Sequence, residues 1–186
     1  MDNLVYNCTD ALLAPNIPLC ATDYGERIVA FAVMKTDGTF TVAGSDNPTA
    51  AEFQSAITAG TLTYYSGVTN GHKIAGSMTE LSGDDTVTGG VERYDEMDKF
   101  EGRLKLIDET VSRATEQLNR KSQVRLWLFT DKHYCFGGKT GYLSSINAGT
   151  KKFEGKGNPP YIPVDAEWLI TGPDNAKYDA DYASLT

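Results

Sequence analysis

Histidine and cysteine are scarce in this chain, and basic residues are outnumbered. Two histidines, His72 and His133, and three cysteines, Cys8, Cys20 and Cys135, are spread over 186 residues. A zinc site needs three or four ligands, and no C-x-x-C pair is present. His133-Tyr134-Cys135 sets a His and a Cys on one face of a strand, where a buried Cys acting as a small hydrophobe is the plain reading. The odd cysteine count points to free thiols in a reducing compartment. With 17 Lys and Arg against 25 Asp and Glu, the formal charge is −8. Binding nucleic acid over a broad face requires phosphate neutralisation by Lys and Arg, so the charge argues against that function class. It does not argue against a surface that DNA slides past without sticking. No apolar run approaches the roughly 18 residues of a membrane helix; the longest, "IVAFAVM" (Ile28–Met34), is strand-sized. No Lys or Arg precedes Arg27, so the basic start of a secretory signal is not visible. Internal repeats and low-complexity tracts are missing too.

Catalytic motifs are equally thin. "FGGKTG" ends like a phosphate-binding loop, but the glycine required five positions before Gly138 is His133, so the cradle is incomplete. There is no G-x-S-x-G nucleophile elbow and no calcium loop of the D-x-[DN]-x-[DN]-G type. The acids Asp84-Asp85 and Asp95/Asp98 are the raw material of a carboxylate hydrolase, but such pairs are recognised by their separation in space. A solvated acidic surface is the simpler account. The sequence therefore names no catalytic residue, no cofactor site and no metal ligand, and the chain reads as a non-enzyme.

What is present is β-rich. "RIVAFAVMKTDGTFTV" reads as a hairpin about Asp37-Gly38, because Asp-Gly supplies the positive φ of a tight turn. "DNPTAAEFQSAITAG" predicts a short helix capped by Asn47, with Pro48 at its first position, Phe53, Ala56 and Ile57 on one face and Gly60 at its exit. "TLTYYSG" is a strand, and Asn70-Gly71 predicts a turn. "KFEGRLKLID" alternates, Leu104 and Leu106 against Arg103 and Lys105. "DETVSRATEQLNRKS" predicts a second helix with Ile107, Val111, Ala114 and Leu118 in a stripe, acids at its start and bases at its end. "VRLWLF" is a strand with both faces partly covered, and "HYCFGG" and "TGYLSSI" follow as short strands. "YIPVDAEWLITG" closes the domain with Val164, Ala166 and Trp168 on one face, Pro163 favouring its edge or start. The order is not a βαβ repeat. It predicts an α+β, mainly antiparallel β fold: a sandwich or barrel of short strands with two packed helices and long assembly loops. The domain organisation is an irregular N-terminal arm over 1–26, a single β-rich domain over 27–172 and a C-terminal arm over 173–186.

One segment fits neither a solvent loop nor a core element. Gly76–Gly102, "GSMTELSGDDTVTGGVERYDEMDKFEG", holds eight acids, two bases and five glycines. Three-quarters of the formal charge excess lies in it. Disordered segments lack large apolar residues, yet Met78, Leu81, Val87, Val91, Tyr94, Met97 and Phe100 recur through it. A connection this long inside a compact domain is usually functional or disordered. The apolar residues predict that it orders against its own domain or a neighbouring subunit. In the second case Met78, Leu81, Val87, Val91, Tyr94 and Met97 are assembly residues. The tail adds Tyr178, Tyr182 and Leu185 at helical spacing, as a second arm.

The half from Lys73 to Gly172 resembles tail-tube-type structural proteins of tailed bacteriophages, especially small virion proteins from phages of Bacteroidetes. The resemblance rests on "DTVTGGVERYDEMDKFEGRLKLIDET" leading into a helix, then "VRLWLFTDKHYCFGGKTGY", then the closing strand "VDAEWLITG". It implies a sandwich-like barrel with a flanking helix, subunits in rings commonly of six, and rings stacked into a tube by long loops. It further implies a virion protein assembled in the bacterial host cytoplasm, with itself and other virion proteins as partners. DNA would be only a transiting cargo and no membrane would be involved. An acidic inner wall would repel phosphates, and Asp84, Asp85, Glu92 and Asp95 are the candidates to face that lumen. The alternative is a glycan- or protein-binding decoration or adhesin module, motivated by ten tyrosines, seven phenylalanines and two tryptophans.

Overall fold

The computed structural model describes residues 27–38, 40–43, 47–74, 80–82, 91–93, 97–105, 115, 118, 123–153, 155, 159–169 and 176–185. The expected N-terminal arm lies outside them. Ten strands are described: β1 (Ile28–Lys35), β2 (Leu62–Ile74), β3 (Glu80–Ser82), β4 (Val91–Arg93), β5 (Met97–Lys105), β6 (Val124–Thr130), β7 (Tyr134–Phe136), β8 (Tyr142–Ala148), β9 (Tyr161–Leu169) and β10 (Lys177–Tyr178). One α-helix, α1 (Ala50–Thr58), and one 3-10 turn, Ala180–Ser184, accompany them.

Among the described residues every strand pairing is antiparallel. The order β1-β2-β5-β9-β8-β6 closes on itself, because β6 also pairs with β1. The result is a closed six-stranded barrel, with β7 and β10 extending from β6. Of the two predicted architectures, the barrel forms and the sandwich does not. Closure also explains why the predicted hairpin at Asp37-Gly38 is absent. The turn exists, with Gly38 N donating to Lys35 O at 2.9 Å. But β2 and β6 occupy both edges of β1, so Phe40–Val42 leave no ladder to join and are not strand.

The barrel interior is packed rather than open. Phe31, Phe100, Leu104, Leu126, Val164 and Trp168 fill it, with Phe31 stacked on Tyr65 at 4.8 Å between ring centroids. Of the second predicted helix only Thr115 and Leu118 are described; both are helical and buried. Leu118 joins the interior cluster, as its place in the apolar stripe requires.

A second core lies outside the barrel wall. There α1 lays Ala50, Phe53 and Ala56 over Ala30, Ala32 and Met34 of β1 and Trp127 and Phe129 of β6. Phe53 meets Trp127 and Phe129 edge-on, at 5.8 and 5.1 Å. With both faces covered, β1 and β6 need continuous apolar runs instead of alternation. That is the physical content of "IVAFAVM" and "VRLWLF". The helix begins two positions later than the Asn47-Pro48 signal implies. Thr49 is the N-cap, and its side chain and the Glu52 side chain each bond the other's backbone N–H in a capping box. Gly60 takes φ +70° at the exit, as expected.

Asn70-Gly71 is not a hairpin turn. β2 runs straight through it, and Asn70 at φ +52° marks a bulge. Thr69 faces Arg103 while His72 faces Glu101, so one extra residue is accommodated there. Pro163 sits inside the sheet rather than at its edge, between β5 and β8. Its carbonyl accepts from Gly149 N at 2.8 Å, on the side where β8 has already ended at Ala148. The missing proline N–H therefore interrupts no ladder.

Candidate functional site

The acid-rich segment takes a definite place in the topology. It leaves the barrel after Ile74, the last residue of β2, and rejoins at Met97, the first of β5. β2 and β5 are neighbours in the sheet, so the segment starts and ends side by side at one mouth of the barrel. Within it β3 and β4 form a two-stranded ribbon of their own, with Glu80 opposite Arg93, Leu81 opposite Glu92 and Ser82 opposite Val91. The strand β5 begins earlier than the sequence implied, so Met97–Gly102 belong to the barrel and not to the connection.

The expected assembly and lumen residues are distributed unevenly. Leu81 lies in β3, and Val91 and Glu92 lie in β4. Met78, Val87, Tyr94, Asp84, Asp85 and Asp95 lie outside the described residues. Met97 is exposed at the head of β5. Tyr178 is exposed in β10, with Tyr134 and His133 against its ring at 5.4 and 6.5 Å. Tyr182 and Leu185 are instead buried in the second core of the chain itself.

The described part of the tail is therefore folded down, not extended. The Tyr182 hydroxyl donates to Pro48 O. Asp179 accepts from Ala50 N at 2.9 Å, filling one of the unbonded donors at the start of α1, and from Asp181 N at 3.0 Å. Lys177 Nζ donates to Asn47 O at 3.0 Å. The spacing of Tyr182 and Leu185 that reads as an outward anchor is the spacing of a short turn docking on α1.

At the barrel mouth where the segment departs, Lys73 and Asp98 form an ion pair at 2.7 Å. Asp98 is 5 % exposed, an inward-facing carboxylate among residues the sequence read as solvated. Trp168 and Tyr142 stack beside it at 4.6 Å. The Lys73 ammonium lies 6.0 Å from the ring centres of both Phe136 and Trp168.

Among the described residues no helix packs on the barrel wall over β5, β9 and the later part of β2, because α1 reaches only the Leu62 and Tyr64 end of β2. An open groove of about 450 Å³ runs along it, lined by residues including His72, Lys99, Glu101, Arg103, Asp165 and Glu167. Lys99 and Glu167 face each other and pair at 2.7 Å. Hydrogen bonding and charge from Glu167 hold the Lys99 ammonium above its ordinary range. Glu101 and Asp165 are also directly opposed. Burial first, and then the neighbouring Glu167 and Glu101, push the Asp165 carboxyl up, while the hydrogen bond from Asn147 pulls it down. The Arg103 guanidinium lies 4.7 Å over the Tyr161 ring, within cation–π range. This wall escaped the sequence reading. The signal was present as alternation in "MDKFEGRLK" and "YIPVDAEWL", but which strands stand beside each other was not.

The glycine run after β7 is a structural device. Leu128 faces Phe136 but Leu126 faces Tyr142, so Gly137–Gly141 loop out of the strand that returns along β6. The loop folds over Trp127, whose Nε1 donates to Gly138 O at 2.9 Å. Cys135 is buried, and burial drives its thiol well above the usual range. His133, at φ +63°, belongs to the turn before β7 and not to its face. Among the described residues no group of three His, Cys, Asp or Glu side chains is placed to hold a metal ion. Also among them, no helix is long and apolar enough to cross a membrane. No family model and no curated protein matches the chain.

Proposed function

We propose that the chain is a non-enzymatic structural subunit that self-assembles into rings or a tube in a bacteriophage tail or connector. The observation that carries this reading is the β3–β4 ribbon, which leaves and rejoins one mouth of the barrel on adjacent strands. An isolated two-stranded ribbon is marginal in water. This one gains stability by lying on another surface, and a neighbouring subunit supplies it. The connection intersperses the apolar Met78, Leu81, Val87 and Val91 with acids, so a neighbour that receives it makes both apolar and charged contacts. Because side chains fill the barrel, any passage for DNA runs between subunits, not through one. An acidic lumen wall there repels phosphates and lets DNA pass. Other virion proteins are the expected further neighbours, and the virion the expected location.

The test is absolute mass by light scattering after size exclusion, with negative-stain images of the same fractions. Rings or stacked rings are expected. A strict monomer at every concentration, with or without the other tail proteins, overturns the reading.

A second reading has one observation in its favour. The groove on the open wall, with Arg103 over Tyr161 and carboxylates opposite, has the aromatic and polar character of a glycan site in a decoration or adhesin module. A glycan-array signal abolished by Arg103→Ala and Tyr161→Ala would support it, and a blank array would remove it.

A further inference from the structure

Among the described residues few large apolar side chains are exposed, and most of those that are fall together. Six are exposed among the described residues: Ile74, Met97, Leu143, Phe153, Leu169 and Tyr178. Four of these six lie in one line. Met97 faces Leu169 directly across the β5–β9 ladder. Ile74 faces Lys99, two residues from Met97 on the same outward face of β5. Ser144 faces Trp168, so the next outward residues, Leu143 and Leu169, stand side by side. The line crosses β2, β5, β9 and β8 at the mouth where the ribbon departs. Its members are 37, 39, 48 and 51 % exposed in the order Ile74, Met97, Leu169, Leu143. Single exposed apolar residues need no explanation, but a contiguous set bordered by polar groups marks an interaction surface.

The charge beside this row identifies the partner. The adjoining groove is lined by Lys99, Arg103 and Lys152 and by Glu101, Asp165 and Glu167, three bases against three acids. The whole chain carries −8, so two copies repel in most orientations. On this wall the formal charges balance, and that repulsion is locally removed. The row is also continuous with the ribbon, since Ile74 and Met97 are the two barrel residues that flank it.

We infer that the Ile74–Met97–Leu169–Leu143 row is the apolar centre of a contact with a second copy of this chain, with the balanced groove as its polar rim. The inference rests on the assembly reading above and names the face that assembly uses. Four side chains fall short of the roughly 800 Å² per partner of a standard interface. The row is thus the anchor of a larger contact, where truncation or charge has its greatest effect.

The experiment compares wild type with Leu169→Glu, Leu143→Glu and the off-row control Phe153→Glu. Each is checked for folding by its thermal melt and then followed by light scattering over a concentration series. Wild type and Phe153→Glu are expected to assemble alike, while each row variant requires at least about tenfold more protein to assemble. Folded row variants that assemble like wild type overturn this inference and leave the assembly reading standing. A wild type that never assembles overturns both. Should the row variants not fold, Met97 decides the question in the wild type. Hydroxyl-radical oxidation read by mass spectrometry is expected to fall several-fold at Met97 in assembled fractions relative to dilute protein. Equal oxidation in the two overturns the inference.

Discussion

Lys73 Nζ lies 2.7 Å from Asp98 Oδ2 on neighbouring strands β2 and β5, at the mouth from which the acid-rich segment leaves. The carboxylate is buried, and the cation set against it is itself flanked by the rings of Phe136 and Trp168. Lys73→Met removes that cation and is expected to cost about 3 kcal/mol, the low end for breaking a buried pair because Lys73 keeps some solvent contact. Lys73→Met with Asp98→Leu recovers most of the loss. Urea denaturation of the two variants and the wild type checks this, and an unchanged midpoint for Lys73→Met would sink it.

The tail is part of the fold, which yields a graded prediction. Tyr182→Phe removes only the hydroxyl that donates to Pro48 O and should cost about 1 kcal/mol. Tyr182→Ala also empties the space beside Phe53 and Phe129 and should cost about 3–5 kcal/mol. Equal midpoints for Tyr182→Ala and wild type in a denaturant titration would mean that the tail does not dock.

Gly141 has φ +74°, and a Cβ placed there would lie 2.9 Å from the Trp127 ring. Gly141→Ala therefore meets both left-handed strain, about 1–2 kcal/mol, and a clash with a fully buried indole. The expected result is a lower melting temperature and a shift in tryptophan fluorescence. Gly155→Ala, at φ +82° with nothing within 4 Å, carries the strain alone and should be milder.

Two carboxylates predict opposite pH effects. Backbone donors from Ala43 and Thr49 hold Glu52 below its ordinary 4.5. Its contribution is present above the unfolded value and is lost as pH falls through the folded one. Asp165 is raised above its ordinary 3.8 by burial and by Glu167 and Glu101. Its contribution is present below 3.8 and is lost as pH rises through the folded value. Asp165→Asn should accordingly stabilise the protein at pH 7 relative to wild type, with the gain vanishing in acid. Glu52→Gln should do the reverse, lowering the melting temperature at pH 7 and converging with wild type in acid. Melts of the three proteins from pH 7 to pH 3 check both signs.

Much of the local structure was legible in the sequence. "VRLWLF" announced a strand covered on both sides, and α1 was set by its apolar face and its glycine exit, though the Thr49–Glu52 pair and not Asn47 caps it. Leu118 was legible as a helix residue pointing into a core. The turn signals were the least faithful. Asp37-Gly38 and Asn70-Gly71 both supply the backbone freedom of a hairpin, yet neither makes one. Barrel closure used both edges of β1, and β2 needed a bulge more than a turn.

What the sequence determined by itself is the β-rich class, the alternating burial of β5 and the continuous burial of β1 and β6, the acidic balance and the odd position of the 76–102 segment. These are properties of neighbours along the chain, fixed by side-chain period and composition. The tertiary structure alone decided which strands stand side by side. That placement closed the barrel and turned Tyr182 and Leu185 inward. It set Lys73 against Asp98, and it aligned Ile74, Met97, Leu169 and Leu143, which come from four strands, into one exposed row. The physical reason is that strand register and sheet order are chosen by long-range pairing and burial together, and a period-two pattern is the same whichever neighbour a strand acquires.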